Sequence, residues 1–562
     1  MLDTLLVRLD ESVTELFGQW NLWTSAIFTV LVGFLTYQVA TREDPDTHPF
    51  LLARQAYGSP VRQPGESAVY RSPAAPHGMP LNAGLNVRDP GASKWSRGRD
   101  GDLRDVWRQA LAGVREDGPN KGATGRILTV LGTDKTIEHP LADVTRQINL
   151  IGRHMAGQGA GRVAIYLPNS VELLAALFAC AFYDLTAVIL PFDEPADSVL
   201  SMLRRSAADT VVTAPGSFPF DAVVKSYPAL RQLIWVVDEG SKHLDWNEIP
   251  QGAGGGGGGV RVSTWQEIVS DGPVDAGTEL PPLEGQKDAR DITVFWKAGP
   301  GRQEEMVRFT AANVVAGIAA QLAAVPAAQR MGPADVFLPA DSLANTHTLV
   351  LTLAALFSNA SVAFNSVSAQ ADDLAASTRG TVSPTVLVAT PAALLRTHQE
   401  FAAGTGSSLV ARVRHRLRVR KLAEHGVLPG GGSGGGGGSK LRLILTAERA
   451  GAGTPLLSSA VLTDLRAMTG ARIVYALTAA RVAGAATQTL FYDYRVLEGG
   501  QTHFGPPLTS TEILFRDMGE CRTTDEGGSR GEIIVRGPCV SGGEAALGVA
   551  GKMRDDNTLA YV

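Results

Sequence analysis

Between Asp291 and Gly317 the chain reads DITVFWKAGPGRQEEMVRFTAANVVAG, a β-branched and aromatic run, a glycine-bearing turn and an alanine-rich segment. Ile292–Trp296 has the composition of a strand, Gly299-Pro300-Gly301 is turn chemistry, and Thr310 is placed to cap a following helix. A strand that turns through glycines into a helix can hold a phosphate, because backbone N–H groups and the helix dipole both point at the anion. Lys297 and Arg302 bring positive charge to this turn, and Glu304 and Glu305 bring negative charge. A lone Gly-x-Gly turn is more often an ordinary tight connection, so its meaning depends on what surrounds it.

Other catalytic sets do not emerge. The ten histidines are scattered: His139 and His154 lie in a helical region, His347 near Asn345, and His503 in a turn. The three cysteines, Cys180, Cys521 and Cys539, have neither metal-type spacing nor a paired framework, which points to a reducing compartment and away from zinc. A net charge of −5 argues against nucleic acid as the main partner. With 562 residues, 44% hydrophobic and 19% charged, the chain is globular in composition and too long for a single core.

The elements that must carry the turn are legible in part. From Asp105 to about Ala214 helix and strand patterns alternate: helices over Leu141–Met155, Val171–Tyr183 and Ala196–Ser206, and strands over Arg162–Leu167, Ala187–Leu190 and Thr210–Thr213. Such alternation implies βαβ units around a largely parallel sheet. The run GRVAIYLPNSVELLAALFACAFYDLTAVILPFDEPADSVLSMLRRSAADTVVT, with Pro168-Asn169-Ser170 and Pro191, resembles the N-terminal subdomain of the AMP-binding, adenylate-forming enzymes, and is most similar to long-chain acyl-CoA synthetases. Further landmarks follow in the family's order: Asp335–Phe364, Pro384–Pro391 (PTVLVATP), Lys440–Thr446 (KLRLILT), Tyr475–Thr478 (YALT), His503–Pro507 (HFGPP) and Gly531–Gly537 (GEIIVRG). The resemblance covers roughly residues 110–545 and implies an α/β fold, the large N-terminal domain of these enzymes, with βαβ subdomains and a small β-rich part.

It also implies a reaction. A carboxylate attacks the α-phosphate of ATP to give an acyl-adenylate, and CoA then displaces AMP, with Mg²⁺ and a mobile lysine-bearing domain assisting. The family's Thr-Ser-Gly-Thr-Thr-Gly-x-Pro-Lys-Gly loop, anchored on Thr310 and Asn313, falls on Lys297, Ala298, Gly299, Pro300, Gly301 and Arg302, with Glu305 at the lysine. Only Gly299 is unchanged, Pro300 lacks a backbone donor, and Ala311 replaces a histidine. A carboxylate about 6 Å from a phosphate charge, at an effective dielectric near 20, costs about 3 kcal/mol per unit pair. The family's Pro-Leu-Ala-His appears as Ser342-Leu343-Ala344-Asn345, and its Tyr-Gly-x-Thr-Glu as Tyr475-Ala476-Leu477-Thr478-Ala479, so Asn345 and Ala479 stand where a histidine and the Mg²⁺ glutamate belong. The ribose-binding Tyr-x-Thr-Gly-Asp does not follow Gly537, and the chain stops at Val562 before the hinge and C-terminal domain that the resemblance implies.

A membrane is the remaining implied partner. Leu22–Ala40 is 19 residues without a charge, flanked by Trp20, Trp23 and Tyr37, the length and aromatic belt of a single transmembrane helix. Arg42, Arg54 and Arg62 follow it against Arg8 before, which places the body on the cytosolic side. The expected order is a short segment 1–21, the span 22–40, a flexible tether 41–104 and an AMP-binding-like domain 105–562. Glycine-rich insertions stand near 252–259 and 430–439. Arg412, Arg414, Arg416, Arg418, Arg420 and Lys421 form a basic run that reads as a solvated helix face or as a contact for anionic lipid, without the aromatic interleaving that single-stranded nucleic acid favours.

The expectation is therefore a membrane-anchored acyl-CoA-synthetase-like protein with a decayed adenylation site, needing no cofactor or metal and having no catalytic residues at the degenerate positions Glu305, Ala479 and Asn345. It would bind or scaffold an acyl chain, an acyl-CoA or a protein, at the endoplasmic reticulum ahead of the mitochondrial outer membrane or peroxisome. The alternative is an active long-chain fatty acid–CoA ligase using ATP, Mg²⁺ and CoA, with Lys297, Gly299, Gly301, Arg302, Tyr475 and Thr478 around the nucleotide. A third reading is nucleotide sensing without turnover.

Overall fold

The computed structural model describes every residue except 1–17, 19–20, 41–43, 89–90, 94, 116–118, 132–134, 238–258, 274–275, 283–288, 300, 366–381, 406–408, 430–439 and 525–528. Two compact units divide the chain, Met1–Asp46 and Thr47–Val562. In the first, the expected apolar segment forms one helix, Leu22–Ala40. Among the described residues no helix is long and apolar enough to cross a membrane, so the expected transmembrane span is not supported.

Three sheets build the second unit. A seven-stranded sheet has the order Glu305–Phe309, Ile292–Trp296, Thr186–Ile189, Arg162–Tyr166, Thr210–Thr213, Gln232–Trp235 and Arg261–Thr264. All of its pairs are parallel except that of the edge strand Glu305–Phe309 with Ile292–Trp296. An eight-stranded sheet runs Thr487–Gln488, Arg472–Thr478, Leu443–Arg449, Val386–Val388, Val336–Pro339, Ser361–Asn365, Ile127–Leu131 and Lys135–His139, parallel except at its two edges. The inner strands read as continuous apolar runs because both faces are covered, as parallel sheets require.

Helices Val171–Phe182 and Thr346–Phe357 are apolar on nearly every side, and that composition suits only a fully enclosed helix. The first packs on its own sheet at Arg162–Tyr166 and Thr186–Ile189, and the second on Val336–Pro339 and Ser361–Asn365. Helix Leu103–Ala112 touches both, so one continuous apolar core joins the two sheets. The helix starts are set by short polar caps: the Ser170 hydroxyl accepts from Leu173 N–H, and Thr310 and Asn313 form a reciprocal capping box.

The small β-rich part is a six-stranded antiparallel sheet, and it overturns the expected tether. Tyr57–Arg62 and Ala68–Arg71 are its first two strands, the latter pairing with Glu512–Arg516, followed by Arg530–Arg536, Glu544–Met553 and Leu559–Tyr561. Ser67 N–H donates to Phe515 O at 2.9 Å, and buried Gln55 reaches Asp493 at 2.8 Å. Residues 47–88 thus belong to the body, with Gln55, Ser67 and Ala68–Arg71 held by partners more than four hundred positions away. Of the expected glycine-rich insertions, 252–258 and 430–439 lie outside the described residues.

Candidate functional site

The turn after Ile292–Trp296 does not pass straight into a helix. A second strand, Glu305–Phe309, folds back with Trp296 opposite Glu305, and Thr310 then caps helix Ala311–Ala324. The expected phosphate turn is therefore the tip of a β-hairpin. Gly299 and Gly301 both have positive φ, +75° and +76°, the left-handed backbone that makes glycine the fitting residue there. Pro300 lies outside the described residues.

Three other segments converge on this tip. Strands Leu443–Arg449 and Arg472–Thr478 pair in parallel with Arg449 beside Thr478, and the Thr478 hydroxyl donates to Glu448 O at 2.9 Å. The turn that follows brings Ala452 O to 3.4 Å from where a Cβ on Gly299 would stand. The Arg449 guanidinium lies over the Trp296 ring, 4.5 Å from its centroid. Arg481, just past Ala479, reaches Glu305 with an Nε–Oε1 distance of 2.8 Å. Of the expected nucleotide residues, Gly299 and Thr478 lie in this convergence, Tyr475 is buried further back on the strand Arg472–Thr478, Lys297 reaches Glu194, and Gly301 and Arg302 are exposed at the tip.

Three cations around the tip are tied to carboxylates of the chain. Lys297 Nζ donates to Glu194 Oε1 at 3.0 Å, and Arg205 pairs with Glu304 at 3.7 Å. Lys297, Arg205 and Arg481 each therefore face a carboxylate of the chain itself.

Beneath the tip lies a buried polar floor that sequence reading missed. Glu448 accepts from the Thr454 hydroxyl at 2.7 Å and from the Tyr475 hydroxyl at 3.2 Å, and burial pushes its carboxyl pKa up despite those donors. Burial also pushes the Tyr475 phenol up and the Arg449 guanidinium down, with Asp341 and Glu448 opposing the latter shift. Asp341 accepts from Ser342 N–H at 2.8 Å, from Asn345 Nδ2 at 2.8 Å and from the Thr348 hydroxyl at 2.9 Å. Its carboxyl pKa is raised by desolvation.

Asn345, expected only as a lost histidine, is thus a donor that holds this loop in place. Ala479 is buried and offers a methyl group. His347 is buried on the next helix, its Nε2 has no partner among the described residues, and desolvation lowers its pKa to about 4. A Glu-Arg pair at a strand end before Gly451-Ala452-Gly453 was the available signal for the floor.

Chemically, the arrangement offers a floor of carboxyl groups whose pKa is raised by burial, and three paired cations, Lys297, Arg205 and Arg481, beside an exposed Arg302. Among the described residues no group of three or more histidine, cysteine, aspartate or glutamate side chains is placed to hold a metal ion.

The family model described as AMP-binding enzyme matches residues 133–263. Among solved structures, the anthranilate CoA ligase AuaEII in complex with anthranoyl-AMP is 14% identical, covering 82% of this chain and 76% of that one with a TM-score of 0.58. A putative long-chain-fatty-acid CoA ligase from Rhodopseudomonas palustris is 16% identical, covering 82% and 98% with a TM-score of 0.56. The N-terminal domain of FACL13 from Mycobacterium tuberculosis is 14% identical, covering 82% and 99% with a TM-score of 0.55. No curated protein sequence matches the chain. At such identities the likeness carries the fold: this is the α/β N-terminal architecture of adenylate-forming acyl- and aryl-CoA ligases.

Proposed function

We propose that this chain uses the adenylate-forming fold for binding or scaffolding in lipid metabolism and no longer activates a carboxylate with ATP. The observation that carries the reading is the pairing of Lys297 with Glu194, Arg205 with Glu304 and Arg481 with Glu305 at the hairpin tip. A triphosphate entering there would meet two carboxylates and would have to compete for cations already engaged. Where the family resemblance calls for a Mg²⁺ carboxylate, the buried Ala479 has none. These residues do not fit a triphosphate with its magnesium. The ligand we infer is an acyl chain or acyl-CoA, the molecules handled by ligases of this architecture, with a protein partner as the other occupant.

One observation favours the enzyme alternative. Gly299 and Gly301 keep the positive φ of a tight anion-binding turn, on which a rebuilt phosphate loop of a fatty acid–CoA ligase could rest. Purified protein assayed for ATP–pyrophosphate exchange with a palmitate-like acid, beside calorimetric titration of ATP, separates the readings. We expect neither exchange nor tight binding. Exchange above background that disappears in Lys297→Ala would establish the ligase, and tight ATP binding without exchange would make the chain a nucleotide sensor.

A further inference from the structure

Helix Leu409–His425 reads LVARVRHRLRVRKLAEH, six basic residues against one acid in a chain whose net charge is −5. Its inner face is committed to the body. His415 and Val419 are half-buried and Leu422 is fully buried, and the helix packs on Ser459–Thr469. His415 Nε2 lies 3.4 Å from Asp464, and its ring packs against Phe401 with centroids 5.2 Å apart.

The outer face is not that of an ordinary solvated helix. Leu409, Val410, Val413 and Leu417 are 73%, 77%, 54% and 62% exposed. At about 100° per residue these four fall within one sector of roughly 100°, centred opposite Leu422. The same rotation puts Arg412 and Arg416 along one flank of the apolar ridge and Arg414 and Lys421 along the other. Arg412, Arg414 and Arg416 are exposed and form no ion pair among the described residues, while Arg420 is paired with Glu424 at 2.8 Å.

An exposed aliphatic ridge between two rows of cations matches an anionic bilayer in both respects. The ridge can enter the acyl boundary while the arginines reach headgroup phosphates from either side. Nucleic acid would use the arginines and leave the ridge in water, and a partner helix seeking an apolar groove would gain nothing from uncompensated charge. We propose that helix Leu409–His425 is the surface on which this protein lies against a membrane rich in anionic lipid. The inference stands independently of whether ATP is bound or turned over.

Flotation of the full chain with vesicles of phosphatidylcholine, alone or with one-third phosphatidylserine, tests it. Any binding through Leu22–Ala40 appears with both vesicle types, so the proposal is read from the phosphatidylserine-dependent increment. At about 1 kcal/mol per cation near an anionic surface, replacing Arg412, Arg414 and Arg416 by glutamine should weaken that increment on the order of 100-fold. V413E/L417E should abolish it, and raising salt to about 0.5 M should weaken it in the unaltered protein. All five side chains are exposed, so both variants should keep their Tm. An increment that is absent, or that survives both variants, overturns the proposal. If it is absent and V413E/L417E lowers the mass by light scattering, the ridge is instead an interface between copies of this chain.

Discussion

Positive charge is handled in opposite ways at two places on this molecule. At the hairpin tip, where an adenylate-forming fold presents its phosphate turn, Lys297, Arg205 and Arg481 each face a carboxylate of the same chain. Along Leu409–His425, Arg412, Arg414 and Arg416 point outward without such partners among the described residues. Of these pairs only Arg481–Glu305 is exposed on both sides, and such a pair is worth only about 0–1 kcal/mol. What the pairs do is occupy cations that an anion would need. Arg302 is exposed at the tip without an ion pair among the described residues, whereas the basic helix presents three such cations, Arg412, Arg414 and Arg416, on one element.

The contrast sharpens on going below the tip, where a buried carboxyl group holds structure through hydrogen bonds. Asp341→Ala would leave Asn345 Nδ2, the Ser342 N–H and the fully buried Thr348 hydroxyl without their acceptor. A cost of about 2–3 kcal/mol in denaturant unfolding is expected. R412Q/R414Q/R416Q should change stability by less than about 0.5 kcal/mol. Equal losses in the two variants would show that the outer arginines are structural and would dissolve the distinction.

Acid provides the next test. His347 is held at a pKa of about 4 by burial, below the ordinary value near 6.5 for an exposed histidine. Folded, it stays neutral; unfolded, it takes up a proton as pH falls below about 6.5. Its burial therefore costs nothing extra above that pH, and stability falls between about 6.5 and 4. At pH 5 the loss from this group is about 2 kcal/mol. His347→Leu, which also removes the unpartnered Nε2, should lose about that much less than the unaltered protein between pH 7 and pH 5, measured by urea midpoints. Identical acid sensitivity would mean that water reaches this histidine and that the floor is less closed than the tip above it.

What could be read from sequence followed the range of the interactions. Strands such as Arg162–Tyr166 and helices such as Val171–Phe182 announce themselves because burial on all sides demands continuous apolar runs. Tyr57–Arg62 and Ala68–Arg71 could not be read, since their Pro, Gly and Arg content suits a linker and only pairing with Glu512–Arg516 makes them strands. Near the site, the strand Ile292–Trp296 and the Thr310 cap were legible. The return strand Glu305–Phe309 was not, because its alternation is short and it is stabilised by the neighbouring strand. Nor were the partners Glu194, Arg205 and Arg481, which spacing along the chain does not reveal.

Those partners also change the size of the charge effect at the tip. Glu305 is 41% exposed on its side chain and is already paired with Arg481. Screening there is closer to that of water than to a dielectric of 20. At about 6 Å and a dielectric near 80, each unit pair is worth about 0.7 kcal/mol, against about 3 kcal/mol in the drier limit. Glu305→Lys removes one repulsion, adds one attraction and releases Arg481. An affinity gain of about 10- to 30-fold for a fluorescent ATP analogue is expected, without pyrophosphate exchange, because Ala479 still supplies no metal carboxylate. A gain of four orders of magnitude would mean that the tip is a dry, nearly complete nucleotide site with one reversed charge. The committed cations of the hairpin would then be as available to an anion as those of the basic helix.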